Sequence, residues 1–423
     1  TIVSLSKDGG QTWDWEVVNY YDDMADNATG QASASFIDPS ILQAEDGTVH
    51  MVVDACPSYV GLMGGNKMGW NSSGFDDKGR LLVTYGTAGG DASTAVADYT
   101  YYADINNAEA GVKRSVNGET ITLYPICEAE DNSQSGVWVD AWLNVYVEED
   151  GVITPDLCLQ LQSSSAVQSN LFYRNSEWKA YPVFYIMHRS ATVTETGLEW
   201  GDPQFLDIKL AENEAFTGVC PGRGLSFQYE GKERLVFPLY DNATGNELAS
   251  VIYSDDGGKT WTRGQHNGDL NGVGKTSESQ VVLLPDSTLR MYSRNTVNYI
   301  SYADSTDGGV TWGTCQKDMD LYSQNPGNGC MVSFINLDGI LVGPDNTLYN
   351  HLILASYPVV QRSQGVVRIG YVDESNTVQW LNDDETRYTG NGTYAYSCVT
   401  QLFELEKDVA SRNIQAILST LLT

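Results

Sequence analysis

The octapeptide SDDGGKTW, Ser254 to Trp261, recurs twice in this chain: SKDGGQTW spans Ser6 to Trp13 and STDGGVTW spans Ser305 to Trp312. In the shared pattern S-x-D-G-G-x-T-W each position has a local task. The aspartate can accept hydrogen bonds from the amides of a tight turn, and the paired glycines supply the positive φ that such a turn needs. The tryptophan pins the hairpin to the layer beneath it. Short strand-like runs precede the copies, Val251-Ile252-Tyr253 before the second and Tyr299 to Ala303 before the third. The acids therefore read as hairpin staples rather than as ligands or catalysts. Asp256 and Asp307 lie 51 positions apart, and one four-stranded propeller blade takes about 40 to 50 residues. A degenerate fourth copy is expected in Arg189 to Trp200, RSATVTETGLEW.

Outward from the repeats, the expected fold is all-β: a six-bladed β-propeller with a small inserted β module and a short helical C-terminal tail. Six blades need about 300 residues or slightly more, and the chain has 423. The surplus is assigned to residues 86–168, which lack the octapeptide. There Asn117-Gly118 and Asp150-Gly151 read as turns, and Trp138 to Val147 reads as a strand. Residues 1–85 and 169–402 then form the propeller. In 403–423 the helical spacing of Ile414, Ile417, Leu418, Leu421 and Leu422 predicts a helix packed on the body.

Composition removes several function classes. With 24 Lys+Arg against 55 Asp+Glu the net charge is −31. Such a surface excludes nucleic acid and anionic membranes as partners, because both need clustered cations. It suits an extracellular or high-salt setting, and a secreted or cell-surface location is expected. No run of about 18 apolar residues suggests a membrane span. The seven cysteines form no CxxC pair and read as free buried thiols. The four histidines are isolated, with no HExxH helix, so neither a metal nor another cofactor is expected.

Several segments resemble, in order, those of the sialidase family, whose Asp boxes match the octapeptide. They are Phe216 to Leu225 (FTGVCPGRGL) with Arg234 to Tyr240 (RLVFPLY), Ser277 to Asp286 (SESQVVLLPD) with Met291 to Asn295 (MYSRN), Arg362 to Gly370 (RSQGVVRIG), and Tyr394 to Thr400 (YAYSCVT). The inserted module and Ser169 to Tyr173 are most like the clostridial, streptococcal and ruminococcal branch. The resemblance implies a propeller acting on sialylated glycans (glycoproteins, glycolipids, sialyl-oligosaccharides) by a retaining mechanism. Sialic acid carries a carboxylate on its anomeric carbon, so a carboxylate nucleophile would meet like charge. A tyrosine activated by a glutamate avoids this, and sialidases are an exception to the two-carboxylate rule of glycosidases.

On this resemblance Tyr396 matches the family nucleophile and Glu278 its base. Arg294 and Arg362 match members of the arginine triad that holds the substrate carboxylate, with Arg368 as the substitute for Arg362. Asp38 resembles the aspartate near the N-acetyl and C4 side of the sugar, and Tyr59 is expected to wall that pocket. Arg223 is expected to support its loop. The family's Arg-Ile-Pro strand and its general-acid aspartate have no counterpart in the numbered chain. That predicts a chain truncated at its ends or a divergent, impaired one. The alternatives are an intramolecular trans-sialidase, which releases an anhydro-sugar, and a non-catalytic glycan-binding propeller.

Overall fold

The computed structural model is built on β-strands, almost all of them paired antiparallel. It describes residues 1–8, 10–23, 33–60, 72–86, 96–159, 165–210, 214, 216–242, 245–324, 329–342, 347–381, 390–401 and 418–419. Among these, helix is limited to two single 3-10 turns, Val96–Asp98 and Ala108–Ala110. The chain divides into two units. One comprises Thr1–Val3, Glu16–Pro39 and His50–Gly218; the other comprises Ser4–Trp15, Ser40–Val49 and Val219–Thr423.

The second unit contains three antiparallel meanders of blade type. The first runs Leu225–Tyr229, Lys232–Asp241, Leu248–Ser254 and Thr262–Arg263. In the second, the strands are Ser279–Leu283, Leu289–Ser293, Tyr299–Ser305 and Gln316–Tyr322. The third is Ser333–Leu337, Leu352–Val360, Ser363–Val372 and Val378–Trp380. Middle strands are buried on both faces, as Leu352–Val360 shows with eight of its nine residues buried. Hence the sequence reads there as unbroken apolar runs rather than alternation. Between the second and third blades Tyr292 stacks on Phe334 at 3.9 Å, with Trp380 edge-on to both. Burying one such ring contributes about 2–3 kcal/mol.

The second and third octapeptides each join the third and fourth strands of a blade, and the first joins Ile2–Leu5 to Asp14–Val17. In the second copy Asp256 Oδ1 accepts from Lys259 N and Thr260 N (3.1 and 2.9 Å), and Thr260 Oγ1 donates to Oδ2 (2.6 Å). Ser254 Oγ donates to Asp256 (2.8 Å) and accepts from Gly258 N (2.9 Å). Copies one and three repeat this cage on Asp8 and Asp307. The third blade closes the same way with no octapeptide. Asp373 Oδ1 accepts from Ser375 N and Thr377 N, both at 3.0 Å, although Glu374 and Ser375 stand in place of the two glycines. Asn376 takes the left-handed conformation there, at φ 61°. Asparagine tolerates it better than most residues.

The first unit is built on two sheets. One orders Val152–Pro155, Val145–Glu149, Gln134–Val139, Glu119–Glu128, Tyr101–Ala103, Leu81–Tyr85 and Trp178–Ala180 side by side. It therefore joins strands of 86–168 to strands on either side of that range. Asn117-Gly118 and Asp150-Gly151 are two-residue hairpin turns with both φ positive, as expected. Trp138 to Val147 is not one strand. Asp140 gathers the amides of Trp142 and Asn144 (both 2.9 Å), and the chain reverses between Val139 and Val145. The other sheet has the order Leu198–Trp200, Tyr185–Val193, Val49–Cys56, Ser35–Gln43. Residues 57–184 thus interrupt it between two neighbouring strands. The degenerate fourth copy closes its outer hairpin without a carboxylate cage: Thr194 N donates to Gly197 O (2.8 Å), and Thr194 Oγ1 takes the place of the aspartate.

None of the seven cysteines is in a disulfide, and five of them are buried. No described helix is long and apolar enough to cross a membrane. Most of the C-terminal tail lies outside the described residues. Leu418–Ser419 within it pair as strand with Cys398–Val399, so at that point the helical expectation is corrected. The ladder satisfies backbone groups that apolar spacing alone had assigned to a helix.

Candidate active site

Glu278 and Arg294 are brought together by a hairpin. Ser279–Leu283 and Leu289–Ser293 pair in register, Ser279 opposite Ser293. The next residues out are then Glu278 and Arg294, tied by Arg294 N donating to Glu278 O (3.0 Å). A spacing of 16 is thus the consequence of one tight turn. Their side chains meet as well: Arg294 Nη1 donates to Glu278 Oε2 at 2.5 Å. Glu278 is only 3% exposed, and a buried carboxylate is tolerated when a guanidinium pairs with it.

Tyr396 reaches this pair from the loop after the third blade. Its hydroxyl donates to Glu278 Oε1 (2.8 Å) and accepts from Arg294 Nη1 (3.0 Å). Burial raises the phenol's pKa, the Glu278 charge raises it further, and Arg294 and Arg362 pull against them. At neutral pH the tyrosine is therefore a protonated phenol aimed at a base. Burial alone would lower the pKa of Arg294, but the charges of Glu278 and Tyr396 lift it above the ordinary value. The Arg362 guanidinium lies 5.3 Å from the centre of the Tyr396 ring.

The backbone around Tyr396 is strained and held from several sides. Tyr396 has φ 55°, which costs a residue other than glycine about 1–2 kcal/mol. Tyr394 N donates to Arg362 O (2.7 Å). Ser356 Oγ is within hydrogen-bonding distance of both Tyr394 Oη (2.5 Å) and Ser397 Oγ (2.8 Å), all buried. The Cys330 thiol is bonded to the Tyr396 backbone, and burial raises its pKa. At Gly365 a Cβ would stand 2.1 Å from the Tyr394 ring, and at Gly329 one would stand 2.3 Å from Asn295 O. Sequence reasoning passed over Ser356, Ser397, Cys330, Gly329 and Gly365. The glycine inside RSQGVVRIG was the one visible signal, since a strand interior rarely carries glycine unless something approaches closely.

Tyr396, Glu278, Arg294 and Arg362 therefore converge in the second unit. Arg368 does not join them: it bonds to Asp320 O, and to Leu381 O at 2.8 Å, beside Trp380. Arg223 donates to Thr400 Oγ1 at 3.0 Å. Asp38 and Tyr59 lie in the first unit. Asp38 has φ 53° just before Pro39. Tyr59 is 8% exposed, and its hydroxyl bridges Leu171 O and Ala180 O, both at 2.8 Å. It therefore fastens the core of that unit.

A family model for a BNR repeat-like domain matches residues 168–338. An anhydrosialidase of the leech Macrobdella decora is 27% identical over 94% of this chain and 51% of its own length. Sialidase B of Streptococcus pneumoniae is 28% identical over 94% of this chain and 54% of its own. The chain thus spans about half the length of the curated relatives it matches. Among solved structures, the intramolecular trans-sialidase of Ruminococcus gnavus, bound to oseltamivir carboxylate, superposes with a TM-score of 0.73 at 26% identity. That match covers 94% of this chain and 80% of the other. The leech intramolecular trans-sialidase, complexed with 2,7-anhydro-Neu5Ac, gives 0.74 at 26% identity over 95% and 58%. In its Asp-box turns, its ordered segments and its fold, this chain is similar to sialidases over nearly its whole length.

Proposed function

We propose that this chain is a sialidase-type glycoside hydrolase that cleaves terminal sialic acid from glycoconjugates through a covalent tyrosyl intermediate. The observation that carries the proposal is the hydrogen-bonded trio Tyr396, Glu278 and Arg294. In the first step Glu278 takes the phenol proton and the Tyr396 oxygen bonds to the anomeric carbon. The bond to the leaving-group oxygen breaks in the same step, and that oxygen departs with the bonding pair. A phenol is suited to this attack because it approaches the anomeric carboxylate uncharged, and proton transfer to a positioned base accelerates it. Arg294 and Arg362 are assigned to the substrate carboxylate, which guanidinium groups bind with paired donors. Asp38 and Tyr59 are retained on the resemblance alone. The same reading takes the body as a six-bladed propeller with 86–168 as its insert, and the enzyme as secreted or displayed on a cell surface.

An aryl α-sialoside tests the proposal, because its phenolic leaving group departs without protonation. Release of the phenol is expected, and Tyr396→Phe should reduce it by about 10³-fold or more. Unchanged release by Tyr396→Phe would overturn the mechanism.

A second reading has its own support. The leech relative is named an anhydrosialidase, and two structural neighbours are intramolecular trans-sialidases. In that reaction a hydroxyl of the bound sugar itself displaces Tyr396, its proton passing to a base. The mass of the product decides, since an anhydro-sugar is lighter than free sialic acid by one water.

A further inference from the structure

The first unit has a cavity of its own, about 340 Å³, lined by residues from three stretches: Val18 to Asp22, Trp142 with Asn144, and Gln168 to Tyr173. Pockets that hold small ligands begin at about 300 Å³, so the space suits one or two sugar rings. Four aromatic residues contribute to the lining, Tyr20, Tyr21, Trp142 and Tyr173. Tyr20 is 72% exposed, far more than a ring placed only for packing. Trp142 is half-buried, with the Arg189 guanidinium 4.6 Å from its ring centre. That contact fixes the indole in place.

The polar groups of the lining are anchored from behind. Tyr173 is 4% exposed, and its oxygen accepts from Asp22 N at 2.7 Å, which directs the phenol's own proton elsewhere. Gln168 spends its amide nitrogen on Val145 O (3.3 Å), leaving its carbonyl oxygen to accept. Asn144 is fixed by Asp140 and Asn170 at 2.9 and 3.0 Å. The lining carries one charged side chain, the exposed Asp22, and among its described residues no lysine or arginine.

We infer that this cavity is a second carbohydrate site, one that takes a neutral pyranose. Aromatic rings pack against the C–H face of such a sugar while a carboxylate and fixed amides take its hydroxyls, which is the mixture found here. The single acidic group and the missing cations set it against an anionic sugar, so its ligand differs in kind from the acid assigned to Tyr396. The inference does not depend on any catalytic activity.

Lactose is the probe, titrated against the full chain by tryptophan fluorescence and by saturation-transfer NMR. Weak binding is expected, with a Kd of about 1 mM, as for a small, shallow site. Tyr20→Ala changes only an exposed ring and should weaken binding at least fivefold; Asp22→Asn should do the same. Trp142→Ala should weaken it tenfold or more, with the thermal midpoint recorded to show that the variant folds. Arg294→Ala should leave lactose binding unchanged, which separates this site from the Tyr396 cluster. Absence of lactose binding would overturn the inference. So would binding that Tyr20→Ala and Asp22→Asn leave unaltered, or binding that Arg294→Ala abolishes.

Discussion

The octapeptide turns and the tyrosine cluster use similar chemistry over very different distances along the chain. In the turn at Asp307, a carboxylate is bonded by Ser305 and Thr311, two residues before it and four after it. In the cluster, Glu278 meets Arg294 after 16 residues and Tyr396 after 118. The carboxylate's bonds close within one turn, although the turn's carbonyls also accept from outside it, Gly308 O from Arg234 (3.0 Å) and Val310 O from Gln265 N (2.8 Å). The cluster exists only when two blades and the loop beyond them are all in place. A local motif can therefore recur from blade to blade, whereas the long-range one is assembled once.

Four variants or conditions would break or sharpen that contrast. Arg294→Ala removes the guanidinium shared by Glu278 and Tyr396. It should lower kcat/KM on an aryl sialoside by about 10²–10³-fold, and a loss below tenfold in steady-state kinetics would argue against the cluster. Gly365→Ala adds a Cβ 2.1 Å from the Tyr394 ring. Such overpacking typically costs about 1–3 kcal/mol; kcat should fall about tenfold as the loop carrying Tyr396 shifts, and the thermal midpoint should fall with it. Asp307→Ala empties one turn, a loss of about 1–2 kcal/mol by urea denaturation, while kcat stays within twofold.

The smallest effect is one of pH. Hydrogen bonds from Thr12, then Ser6 and the turn amides, hold Asp8 down at about 2. At Asp307 burial works against the charge, but Thr311 and Ser305 outweigh it and the pKa is again lowered. Carboxylates depressed in the folded state add stability that is complete above about pH 4, where the unfolded chain ionises. That stability fades as the pH falls through the folded values. Urea midpoints of the parent and of Asp307→Asn should thus converge as the pH falls below about 4.

The same contrast decides what could be read from the sequence. The octapeptides and the turns at Asn117-Gly118 and Asp150-Gly151 were legible because their hydrogen bonds lie within a few residues. Glu278, Arg294, Arg362 and Tyr396 were reached through resemblance, since no spacing rule links positions 278 and 396. Ser356, Ser397 and Cys330 gave no signal at all: a buried hydroxyl or thiol in a strand looks like any other small core residue until its partner is known. Trp138 to Val147 was misread because its apolar residues continue through a turn that Asp140 makes.

The turn at Asp373 bears on how such proteins are recognised. What recurs there is an aspartate, the amide of a threonine four positions later and a tryptophan that follows, without either glycine or the leading serine. A search for the written octapeptide finds three copies and passes over this one. The heritable unit is a pattern of acceptors and donors, and the letters that spell it are free to drift.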